Sequence, residues 1–242
     1  NQIHLCRLAT HSLMSMYNEV REQQKKLKGK SFREKAEYFW YYYKLHVLVV
    51  IVVIVTVGIL VKDMASSRPE AFSAVLLNAM GSESQEAFQA DFAAYAEIDT
   101  NTYSCTIDTA ATFSMNSMSQ FDFITSQKII GLAQAGNMDV IVSDTQTFFN
   151  YAEGKMFLDL SQVLTAEEYS KYQEYFYYID YKDENGTVIQ KDVPVGIYVT
   201  DSAKLKEWNC YTDAQAQPVF GFVYSSQREG LCHLFLEYLM EE

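Results

Sequence analysis

Seventeen consecutive residues without a formal charge, Leu45 to Val61 (LHVLVVIVVIVTVGILV), constrain this chain more than any other stretch. His46 and Thr56 are its only polar side chains. As a helix the run covers about 26 Å at 1.5 Å per residue, close to the roughly 30 Å hydrocarbon core of a bilayer. Apolar residues point to every side, so the run lacks the single stripe of a helix packed on a soluble core. Tyr38 to Tyr43 (YFWYYY) precede it, with residue types that favour the headgroup level, and Lys44 and Lys62 bracket it with stems long enough to snorkel. These features predict one transmembrane helix with its aromatic belt over residues 38–61. Forty-four residues precede the run, and it exceeds the apolar core of a signal peptide, about 7–15 residues, so an uncleaved signal anchor is expected.

The charge is divided at this helix. Residues 1–61 hold nine Lys/Arg and four Asp/Glu, a net of +5, and residues 62–242 hold ten and twenty-seven, a net of −17. Basic residues stay on the cytoplasmic side of a membrane helix, which predicts a cytoplasmic N-terminus and an extracytoplasmic C-terminal part. The acidity of that part argues against nucleic acid as its partner. The lipid bilayer is the expected partner of the helix.

Residues 1–37 read as a cytoplasmic basic helical arm. Gly29 interrupts a loose helical pattern, and Ser31-Phe32-Arg33-Glu34 fits a capping box opening a helix that continues through the membrane. Residues 62–70 (KDMASSRPE) read as a linker whose extended reach is about 30 Å, and residues 71–242 as the extracytoplasmic domain.

In that domain Ala71 to Ala79 reads as a buried strand, and Ser82 to Gln85 as the cap of a helix carrying Phe88, Phe92 and Tyr95. Thr102 to Ile107 alternates as a strand, and a second short strand is expected at Thr112 to Ser114. Gln120 to Ala135 reads as a helix with Ile124, Ile129, Ile130 and Leu132 turned inward, followed by a strand at Met138 to Val142. Ser143 to Gln146 then cap a helix ending near Gly154. Thr165 to Glu168 form a capping box, Asn185-Gly186 marks a hairpin between Tyr177–Lys182 and Val188–Val193, and further strands are expected at Gly196–Val199 and Val219–Tyr224. Ser226 to Glu229 fit another capping box before a last helix burying Leu231, Leu234, Phe235, Tyr238 and Leu239. Alternating strands and helices predict an α/β fold with a largely parallel or mixed sheet flanked by helices.

Several stretches resemble extracytoplasmic solute-binding proteins. Asp139-Val140-Ile141-Val142 runs into Ser143-Asp144, a helix, and Phe157-Leu158-Asp159-Leu160; Val195 to Val199 is followed by Asp201-Ser202; and Gly221 to Ser226 leads into a helix ending Phe235-Leu236-Glu237-Tyr238-Leu239. Phe32 to Val50 is similar to single-pass membrane proteins of Gram-positive bacteria. The resemblance touches most of residues 70–242 and implies one lobe of a periplasmic-binding-protein fold. Members with two lobes hold their ligand between them, and the strands here amount to one lobe, so a membrane protein partner stands beside a small ligand as the expected target.

Chemistry is sparse. The domain has a single histidine, His233, in an apolar helix, and no Gly-x-Ser-x-Gly, phosphate-cradling glycine loop or HExxH. Cys232 and His233 point about 100° apart on a helix and cannot form a nucleophile pair. No cofactor and no metal set is expected. Cys105, Cys210 and Cys232 allow one disulfide or three buried thiols. The tyrosines of Tyr169 to Tyr181 fit core packing or stacking on sugar rings. In an open α/β sheet a ligand sits beyond the carboxyl ends of the strands, near helix N-termini. That places Asn78 and Ser82 after the first strand and Ser143, Asp144 and Thr145 after the strand at Met138, each with a turn or cap role as its plainer explanation. The expected function is a non-enzymatic membrane-anchored binding or interaction module. The alternatives are an accessory subunit of a transporter or envelope complex, and an envelope-acting hydrolase.

Overall fold

The structure is a computed structural model that describes residues 31–66, 68–80, 84–114, 119–211 and 216–241. It divides into two compact units, Asn1–Ser67 and Arg68–Glu242.

In the first unit, helix α1 (Phe32–Ser66) starts directly after Ser31 and continues five residues beyond Val61, so part of the expected linker is helical. Its segment Lys44–Lys62 is long and apolar enough to cross a membrane, with a mean hydropathy of 2.8 and none of it buried. Thr56 donates its hydroxyl to the Val52 carbonyl at 2.8 Å, so the run's one hydroxyl is satisfied within the helix.

The second unit is a six-stranded mixed sheet between two helical layers. Its strands are β1 (Glu70–Leu76), β2 (Ser104–Asp108), β3 (Val140–Asp144), β4 (Phe176–Lys182), β5 (Val188–Tyr198) and β6 (Pro218–Phe222), in the spatial order β2-β1-β3-β6-β5-β4. β2, β1 and β3 are parallel, while β6, β5 and β4 join antiparallel from the side of β3. The helices are α2 (Gln85–Tyr95), α3 (Gln120–Gln134), α4 (Thr145–Glu153), α5 (Leu160–Val163), α6 (Ala166–Tyr172), α7 (Ala203–Glu207) and α8 (Glu229–Met240).

Because side chains alternate across a strand, β1 feeds both layers. Phe72, Ala74 and Leu76 meet α2 and α8 through Phe88, Phe92, Phe235 and Tyr238. Val75 and Leu77 meet α3 and α4 through Ile129, Ala133, Phe148 and Tyr151. Aromatic contacts dominate the first layer, with Phe72 at 4.9 Å from Phe92 and Phe92 edge-on to Phe235 at 4.8 Å. In the second, Phe148 and Phe157 stack at 4.1 Å over the two glycines of the antiparallel half. A Cβ at Gly221 would lie 2.5 Å from the Phe157 ring, and one at Gly196 2.7 Å from Phe148, so only glycine admits this stack.

Edge strand β2 is protected by its own neighbour. Gln89 and Gln85 of α2 accept from the backbone amides of Ile107 and Thr109 at 3.0 and 3.1 Å, which occupies groups that an edge otherwise offers to another chain.

Four local expectations are corrected. Thr112–Ser114 is extended but joins no ladder, because Phe113 bonds through both backbone groups to the Asn78 side chain instead. The strand at Gly196 is the continuation of β5. On α3 the buried stripe is Asp122, Thr125, Ile129 and Ala133, leaving Ile124 one position off it and 57% exposed. The box at Ser226–Glu229 does not form: α8 begins at Glu229 with Arg228 as its N-cap, and the Ser226 hydroxyl donates to a buried carboxylate.

Candidate functional site

The chain leaves the adjacent parallel strands β1 and β3 toward opposite faces of the sheet, through α2 and α4. Such a divergence opens a crevice at the strands' carboxyl ends, the usual ligand position in doubly wound sheets. Asn78, Asp144 and Thr145 are all brought to it. Ser82 lies outside the described residues.

The protein's own side chains fill this crevice. Asn78 adopts a left-handed backbone, φ 61°, which asparagine tolerates better than most residues. From there its amide nitrogen donates to the Phe113 carbonyl at 3.0 Å, the Asp144 carboxylate at 2.8 Å and the Thr147 hydroxyl at 3.2 Å. Its side-chain oxygen accepts from Phe113 N at 2.8 Å. The other Asp144 oxygen caps α4 by accepting from Thr147 N at 3.0 Å. Thr145 donates to the Gln217 carbonyl at 3.1 Å. Tyr211 completes the closure: its hydroxyl donates to the Leu77 carbonyl at 2.7 Å, with the Val142 carbonyl at 2.9 Å, and burial pushes it far above its ordinary pKa. Ser143 faces into the sheet, fully buried, and its hydroxyl has no hydrogen-bond partner among the described residues. Two of the five expected site residues, Asn78 and Asp144, thus bond each other and Thr147 in a knot joining the end of β1 to β3 and α4, while Thr145 ties the start of α4 to Gln217.

A second polar cluster escaped the sequence reading. Asp139, completely buried just before β3, accepts from Ser73 N at 2.8 Å, Ser226 Oγ at 2.6 Å and Arg228 Nε at 2.9 Å. Arg228 also donates to the Glu70 carbonyl at 2.9 Å and the Gly136 carbonyl at 3.4 Å. This ion pair ties the start of α8 to the amino ends of β1 and β3. No motif signals it, since its partners are separated by 66 to 89 residues.

His233 Nδ1 lies 2.7 Å from Glu168 Oε1, and its ring packs 5.2 Å from that of Phe222. Glu168 is meanwhile held in the capping box with Thr165. Burial tends to raise its pKa, but the Thr165 hydroxyl and amide together with His233 outweigh this and lower it. Cys232 turns away from His233 toward Ser226. Cys105, Cys210 and Cys232 are not joined to one another by a disulfide, and burial pushes the thiols of Cys105 and Cys232 up to about 12. Tyr172 and Tyr181 are core residues, whereas Tyr175 and Tyr178 reach solvent.

The residues define an α/β unit whose polar clusters are structural ties. Comparison with protein-family models, with curated proteins and with solved structures finds no match to this chain.

Proposed function

We propose that this chain is a membrane-anchored extracytoplasmic module, similar to one lobe of a solute-binding protein, that acts by binding and not by catalysis. The observation that carries the anchoring is the surface of α1. Every residue from Leu48 to Val55 is a Val, Ile or Leu exposed by 51 to 64%, around the whole circumference. A helix apolar all round requires an apolar surrounding, and lipid supplies it on every side at once. Exposed Trp40 and Tyr41 stand one to two turns before, where an aromatic belt belongs. The +5 charge of residues 1–61 orients the basic arm inward and the Arg68–Glu242 unit outward.

Fractionation of bacteria expressing the full chain tests this. The chain is expected in membranes after an alkaline carbonate wash, and protease added to spheroplasts is expected to remove the acidic unit. Release by carbonate, or protection of the acidic unit until the cells are lysed, would overturn the proposal.

One observation favours the accessory-subunit reading. Phe121 and Ile124 lie a turn apart on α3 and are 65 and 57% exposed, an apolar pair suited to a protein contact. Co-purification of an envelope protein with the wild type, lost on Phe121→Ser with Ile124→Ser, would support it; retention in the variant would exclude this patch.

A further inference from the structure

Phe121, Phe123 and Ile124 stand within four residues at the start of α3 and are 65, 57 and 57% exposed. We propose that the outer face of α3 seats the α3 of a second copy of this chain, antiparallel, with Ile124 of each copy over Gly131 of the other. The inference rests on the reading of Phe121 and Ile124 as a protein contact and names the partner.

A glycine without a use inside its own chain is the first argument. Gly131 lies in the interior of α3, exposed, and a Cβ built there meets nothing within 4 Å. Glycine weakens a helix interior relative to alanine, so a glycine where a side chain fits freely leaves that space to a neighbour from outside. Ile124 precedes it by seven residues, two helical turns, and shares its outward line along the helix. The two form a knob and a hole about 10 Å apart. Turning a second α3 end for end sets each knob on the other's hole, the self-complementary contact of a two-fold dimer.

Charge is the second argument. Residues 62–242 carry a net of −17, so most of the surface of one copy repels another. The outer face of α3 presents no carboxylate. Asp122 is turned inward and 7% exposed, and Lys128, the helix's one base, is paired with Asp108 of its own chain at 3.3 Å. Two copies therefore bring these faces together without opposing acids. The apolar surface also continues past the knob: Phe121 and Ile124 wall a groove of ≈ 270 Å³ together with Ala110, Ala111 and Leu132, which the flank of a second helix covers.

Light scattering of the detergent-solubilised full chain tests this, and two copies per particle are expected. Gly131→Leu fills the hole with a residue that favours a helix, so the far-ultraviolet circular dichroism is expected to be unchanged while the dissociation constant rises at least tenfold. Single cysteines in a Cys6→Ser background read the geometry. Gln127→Cys stands beside the two-fold axis and is expected to cross-link the copies under mild oxidation, whereas Gln134→Cys, about 20 Å from its counterpart along the paired helices, is not. A monomeric wild type, a dimer indifferent to Gly131→Leu, or equal cross-linking at both positions would overturn the proposal. Co-purification of a different envelope protein with a monomeric chain would overturn it as well, and would leave the protein-contact reading standing.

Discussion

Replacing Asp139 by alanine removes the acceptor of three bonds at once, and the structure sets the size of the effect. The Ser73 amide and Ser226 hydroxyl lose a partner, and the Arg228 guanidinium, 20% exposed, loses its counter-charge. Breaking a buried pair from one side typically costs about 3–5 kcal/mol, because the remaining charge stays desolvated. Domains of this size have total stabilities of about 5–15 kcal/mol, so about a fifth or more of the stability is at stake. Each kcal/mol moves the midpoint of a domain of 150–250 residues by about 2–4 °C, so a fall of roughly 6–20 °C is expected. The assay is thermal unfolding of the detergent-solubilised chain, followed by near-ultraviolet circular dichroism. A cycle with Arg228→Ala and the double variant separates the pair from its surroundings. The double variant leaves no unpaired charge and is expected to lose less than the two single losses together, by about 1–3 kcal/mol. A single-variant loss below about 1 kcal/mol, or strict additivity, would show that the pair does not hold α8 to the sheet.

Gly221→Ala drives a methyl group into the Phe157 and Phe148 rings and is expected to cost about 1–3 kcal/mol, read as a lower melting temperature; an unchanged midpoint would mean that the stack can shift freely. The Asp91 carboxylate is held below its ordinary value of 3.8 mainly by the Tyr238 hydroxyl at 2.6 Å, against burial and with help from Lys204. Its pairing therefore stabilises the fold fully above the unfolded pKa and is lost as pH falls through the lower folded value. The melting-temperature gap between wild type and Asp91→Asn is expected to be widest at neutral pH and to close below pH 3.8, and a pH-independent gap would contradict the assignment. Cys105 and Cys232, with thiols pushed up to about 12, are expected to resist a disulfide reagent at pH 8 in the native chain and to react in denaturant. Rapid labelling of both without denaturant would refute the raised thiol values.

The sequence by itself determined what depends on neighbours within a turn or on uninterrupted composition. The apolar run of α1 was legible because all of its residues carry the same message. The Thr165–Glu168 box was legible because its partners are three residues apart. So was the turn at Asn185-Gly186, where Gly186 takes φ 81° and Asp183 accepts from Asn185 N and Thr187 N. The alternation of strands and helices led to an α/β fold, and Asn78, Asp144 and Thr145 did come together at the carboxyl ends of β1 and β3.

Only the tertiary structure decided what these residues do there. Ser226 had the spacing of a cap, yet its hydroxyl donates to a fully buried carboxylate 87 residues away while its oxygen accepts from Arg228 N, and α8 begins only at Glu229. Asn78 and Asp144 looked exposed to ligand until Phe113, 35 residues from Asn78, bonded its side chain and Tyr211 closed the strand ends by bonding the Leu77 carbonyl 134 residues from itself. Short-range spacing records bonds made along a helix or turn. The bonds that fill this crevice join distant segments, and folding alone brings them within reach.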